Sequence, residues 1–156
     1  MVLLIIITAG ISGTAFMTLF LYLFTALIHR QLKVVKILGT MLTNQTTPDG
    51  GLSELPWVIW VGVTVHYLIG VMFTLGYYFL WQFGIGSPDY ESGAVFGFLT
   101  GLFGITVWRV VFWLHPNPPR TVSLPIYLLS LLIAHVIFGV FVHLTYSLLV
   151  QRMNQR

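Results

Sequence analysis

Two histidines stand in the same local setting: His66-x-x-x-Gly70 and His135-x-x-x-Gly139, each ten residues after a proline, Pro56 and Pro125. A neutral imidazole offers one donor and one acceptor nitrogen. It can relay a proton, ligate a metal or haem iron, or tie one helix to another by a hydrogen bond. His143 follows His135 by eight residues and extends a polar track along the same segment. Which chemistry these rings perform depends on the medium around them.

Composition identifies that medium. Of 156 residues, 57% are apolar and only 7% are charged, where a soluble domain carries charge at roughly a quarter of its positions. Four apolar stretches are each long enough to span a bilayer, and in hydrocarbon a helix satisfies every backbone polar group internally. The sequence therefore predicts an all-α polytopic membrane protein. Its transmembrane helices are expected at about 2–29, 56–83, 88–114 and 124–150, in a single transmembrane domain. The opening "MVLLIIITAGISGTAFMTLFLYLFTALIH" has no basic leader and no cleavage pattern, and fits an uncleaved signal anchor. Residues 30–55 form a polar or amphipathic connection. Its first half, "KVVKILG", is expected to lie along the interface, and its Thr-, Asn-, Pro- and Gly-rich second half is expected to be a loop. Ser53 ahead of Pro56, and Ser87 with Pro88, are the expected helix-start signals. Three prolines in "HPNPPRTVS" end the third span.

Residues 56–82 align without a gap on 125–151, with eight identical pairs that include both prolines, both histidines, both H-x-x-x-G glycines and Val71/Val140. The four spans thus read as two similar hairpins in a parallel repeat. Gly93, Gly97, Gly101 and Gly104 line the third span, and Gly10 and Gly13 mark the first. Together with Gly70 and Gly139, these glycines are expected to be helix-packing faces on which another backbone comes close.

Ten residues of helix place each histidine about 15 Å from its proline, near the middle of the hydrocarbon core. A polar ring at that depth turns inward. Thr64, Thr74, Ser130, Tyr77 and Tyr146 are the groups available to pair with it. Three roles follow for His66, His135 and His143: interhelical hydrogen bonds, a path for protons, ions or a small solute, or ligation, with haem b as the cofactor that two imidazoles on separate helices would suit. His29 and His115 fall at span ends, where an interfacial position is expected. Arg109, within snorkelling reach of the surface, is a candidate contact for an anion or a lipid headgroup and is expected to pack with Trp108 and Trp113.

The four carboxylates Asp49, Glu54, Asp89 and Glu91 all lie in or beside connections, which excludes a buried acid pair within the membrane. Metalloprotease, nucleophile-elbow, phosphate-loop and dinucleotide motifs are missing. With no cysteine there is no thiol or iron–sulfur chemistry, and seven scattered Lys and Arg make no nucleic-acid surface. A Gly-rich helix followed by a helix with H-x-x-x-G resembles a group of small uncharacterised bacterial inner-membrane proteins. The resemblance covers most of residues 8–150; it implies four spans and assigns no catalytic or binding residue. Arg30, Lys33, Lys36 and Arg120 favour connections one and three inside and both termini outside, while Arg152 and Arg156 weigh the other way. The expected function is a structural or accessory membrane protein that packs against itself or a membrane partner. A small transporter or channel and a haem-binding electron-transfer subunit are the alternatives.

Overall fold

A computed structural model describes residues 1–155; Arg156, one of the tail charges weighed above, lies outside the described residues. The chain forms α1 (Val2–Ile28), α2 (Val34–Leu42), α3 (Pro56–Gln82), α4 (Tyr90–Leu114) and α5 (Leu124–Asn154), with no strand among the described residues. By length and apolar composition α1, α3, α4 and α5 can each cross a membrane. The 27 residues of α1 or α3 extend about 40 Å at the helical rise, enough for a hydrocarbon core of about 30 Å. The protein is a polytopic helical membrane protein. Trp57, Trp60 and Trp113 lie exposed toward one end and Phe83 and Tyr90 toward the other, the positions of aromatic belts.

The helices pack in the serial order α2, α3, α1, α5, α4, with α1 in the middle between α3 and α5. Glycines set the closest approaches. A Cβ on Gly93 would lie 2.8 Å from the Gly139 carbonyl oxygen and 3.0 Å from Val140 Cα; one on Gly10 would lie 2.9 Å from Val71 Cα. Gly13 lies against the Phe138 carbonyl, and Gly70 against the Thr14 side chain. Only residues without a side chain leave room for such crossings. Helices α3 and α4, although consecutive, are not among the closely packed pairs. They are joined near one end, where the Tyr77 hydroxyl lies 2.7 Å from Thr100 Oγ1 and donates to the Phe96 carbonyl at 3.2 Å. Toward the other end the seam between them is open.

Three local expectations are corrected. The N-cap of α3 is Leu55, with Pro56 at the first turn and no side-chain cap; Ser53 is buried and its hydroxyl only accepts from the Leu55 N–H at 3.3 Å. Asp89, and not Ser87, caps α4: its carboxylate accepts from the Ser92 N–H at 2.8 Å, so the helix starts at Tyr90 rather than Pro88. The Ser87 hydroxyl donates to that same carboxylate, and this contact and the Ser92 N–H hold Asp89 below the usual carboxylate range. Helix α5 runs to Asn154, one turn past the expected stop at 150, because nothing in "QRMN" breaks a helix. The segment "VVKILGTML" is a regular one-sided helix packed on α3. It is α2, with Val34, Val35, Ile37 and Met41 buried, and Gly39 and Gly62 let its backbone meet the Val58 and Val35 carbonyl regions.

Candidate functional site: an intramembrane cavity

The open part of the α3–α4 seam is a cavity of about 630 Å³, within the range of small-molecule sites. Helices α1 and α5 form its floor, and α2 closes one end through Leu38, Met41 and Leu42. Its lining is almost wholly apolar. Ile69, Phe103 and Val107 line it and are also exposed on the lipid-facing surface, so the opening is lateral, toward acyl chains. At the α2 end His115 forms the rim. Its Nδ1 accepts from the Asn117 N–H at 3.1 Å, so Nε2 carries the proton and donates to the Met41 carbonyl at 2.9 Å.

His66 and His135 both line this cavity. Their helices start at the same end of the bundle, and ten residues of each lead from its proline to its ring. The two residues are 7% and 9% exposed. Nδ1 of His135 lies 2.8 Å from the Leu131 carbonyl one turn earlier; a carbonyl only accepts, so this nitrogen carries the proton and Nε2 has a bare lone pair. Nε2 of His66 lies 3.0 Å from Thr18 Oγ1, whose own proton goes to the Thr14 carbonyl at 2.7 Å. The Thr18 hydroxyl therefore accepts from His66 Nε2–H, and Nδ1 of His66 is bare. Neither bare nitrogen has a protein partner, and neither is sealed among the described residues: the sealed, unpartnered atoms are Thr25 Oγ1, Trp81 Nε1, Tyr127 OH and His143 Nε2. Both nitrogens keep some accessible surface, on residues that line the cavity. Gly104 lies against the His135 ring, where an added Cβ would be 3.3 Å from Cε1.

The structure does not bring His143 to this site. It is fully buried near the opposite end, with Nδ1–H donated to the Gly139 carbonyl at 2.8 Å and Trp81 edge-on at 4.7 Å. The expected imidazole partners also differ. Thr74 and Ser130 bond their own helices, and Tyr77 joins α4. Thr18, absent from the sequence-based candidates, does the pairing; the signal for it was the four-residue spacing Gly10, Thr14, Thr18 along one face of α1. Arg109 is exposed in a shallow hollow with Val110, Phe112, Trp113 and Leu124. Trp108 turns away from it to pack on Tyr127 at 5.4 Å, because it serves the buried side of α4. His29 ends α1 in the left-handed conformation, φ 53°. No group of three or more His, Cys, Asp or Glu among the described residues is placed to hold a metal ion.

A helical membrane protein whose two mid-depth imidazoles face a lipid-accessible cavity is the class these features define. The chain belongs to the family of unknown function DUF6789, whose family model matches residues 2–156. No curated protein and no solved structure matches the chain.

Proposed function

We propose that the protein binds a small apolar or amphipathic molecule within the bilayer, admitted sideways between α3 and α4. One observation carries this reading: a cavity of about 630 Å³ into which His66 and His135 present unpaired ring nitrogens. Buried polar atoms are normally hydrogen-bonded, and two bare acceptors in an apolar hollow are what a bound molecule would satisfy. Extraction and mass spectrometry of protein purified in mild detergent test it. A stoichiometric small molecule is expected with the native chain and is expected to be lost from Gly104→Leu, whose side chain fills the space beside His135. A native chain that carries and takes up nothing, after supplementation with membrane extract, would sink the proposal.

A second reading makes the same two nitrogens axial ligands of haem b, favoured by their opening onto one cavity. Expression with ample haem and an absorbance scan separate the two, since a colourless, iron-free protein rules the haem out. The accessory reading drew on glycine faces. Gly10, Gly13, Gly70, Gly93, Gly97, Gly101 and Gly139 all meet helices of the same chain, so a membrane partner or second copy would use the lipid-facing sides of α3 and α4.

We infer further that the two hairpins arose by duplication, supported by the aligned residues Val71 and Val140, which meet Gly10 and Gly93 respectively in equivalent crossings. The α2 end is placed on the cytoplasmic side of a bacterial inner membrane, with both termini outside, on the strength of Arg30, Lys33, Lys36 and Arg120 in its connections. Because the chain has no cysteine, single cysteines introduced in each connection report sidedness directly. Labelling of residue 47 from the outside would reverse the assignment.

A further inference from the structure

We propose that the cavity takes a neutral, dihydroxylated amphiphile, a diol or dihydric phenol on an apolar tail, because His66 and His135 face it with two hydrogen-bond acceptors. This rests on the cavity being a binding site, as proposed above.

The polarity follows from where the protons already are. The Leu131 carbonyl holds the proton on Nδ1 of His135, and the Thr14 carbonyl takes the only proton of Thr18, which forces the hydroxyl to accept from His66. The neighbouring polar groups do not reverse this. Thr14 donates its own hydroxyl to the Gly10 carbonyl at 2.7 Å, and both nitrogens of His115 are engaged. Trp108, one turn beyond Gly104, has an indole N–H and no acceptor. A ketone, ester or ether head brings lone pairs toward lone pairs and leaves both nitrogens unsatisfied. One hydroxyl supplies one proton, so two acceptors select two hydroxyls. Such a head also keeps acceptor capacity of its own. A charged ammonium would have to leave water for an apolar lining without a carboxylate, since the four acids of the chain are at its connections.

Native mass spectrometry of the full-length protein in mild detergent, offered dodecane-1,2-diol and 1,2-dimethoxydodecane at equal concentration, reads the preference directly. The diol adduct should exceed the dimethyl ether by about tenfold or more, the cost of leaving buried acceptors unmade. In His66→Phe/His135→Phe, which keeps ring volume and removes the acceptors, the two adducts should fall to near parity. The native chain alone decides the matter if that variant does not fold. Equal adducts, or an excess of ether, on the native chain overturn the donor assignment and leave the cavity proposal standing. Neither adduct forming overturns both. A haem band in the purified protein overturns the diol assignment as well, because iron would then hold the lone pairs.

Discussion

The two ends of the α3–α4 seam hold nearly the same local chemistry with opposite outcomes. His135 and His143 each donate Nδ1–H to the carbonyl one turn earlier on α5, at 2.8 Å in both cases. Each is thereby locked with Nε2 pointing away from its own helix. Around His143, Tyr77, Phe96 and Trp81 close at 5.5, 5.6 and 4.7 Å between ring centroids. Around His135 the paired aromatic ring is Phe73, at 6.4 Å, Gly104 lies against the imidazole, and the cavity opens beside it. The bond to the helix's own carbonyl aims the ring; the distance to the next helix decides whether the ring is packing or site.

The greatest disruption should come from forcing apart the α4–α5 crossing, which supports both ends. Gly97→Leu drives a side chain into the His135 carbonyl and Val136 Cα and should cost about 3 kcal/mol or more. Gly76→Leu, where a Cβ meets nothing within 4 Å, should unfold with the native midpoint in the same detergent. Equal losses in both would show that the crossing does not depend on close backbone approach.

Next in size is the clasp that seals one end. Tyr77→Phe removes the hydroxyl shared with Thr100 and the Phe96 carbonyl and should lower stability by about 1 kcal/mol. Uptake of a spin-labelled alkane near residue 96 should rise with it. Smaller again is the effect at His143, whose Nε2 is sealed without a partner. His143→Phe should be neutral or stabilising by up to about 1 kcal/mol and should leave diol preference unchanged, whereas His135→Phe should reduce that preference without a comparable change in midpoint. If the two substitutions behave alike, the contrast between the ends is mistaken.

The smallest effect is electrostatic. Asp89 is exposed, and the Ser87 hydroxyl and Ser92 N–H hold its folded carboxyl below the ordinary value. Its contribution is present above about pH 4 and is lost as pH falls through the lowered folded value. Asp89→Ala should therefore lower the thermal midpoint slightly at pH 7, with the gap to the native chain closing under acid. A gap that persists at low pH would point to backbone effects instead.

Spans, approximate ends and the inward histidine pair were legible because apolar length, proline starts and ten-residue spacing are properties of single helices. Burial of α2 was not legible: it depends on Gly39 and Gly62 meeting across two elements, a coincidence that no local pattern encodes. His143 reads in sequence like an extension of a polar track, yet the aromatic rings around it come from α3 and α4. A solute path or ligand site at the histidines was among the sequence readings, but the cavity's place in the α3–α4 seam was not legible. The cavity is made by two helices failing to pack, and an absence of contact leaves no residue pattern behind.

Helix α2 closes one end of the cavity with Leu38, Met41 and Leu42, latched by the bond from His115 to the Met41 carbonyl. A guest that comes through the side wall is drawn from the lipid phase, so its partition coefficient, more than its dissolved amount, governs how full the chamber is. Compounds of equal intrinsic fit would then rank by oiliness, and thinning or stiffening the surrounding leaflet would alter loading without touching a single lining atom.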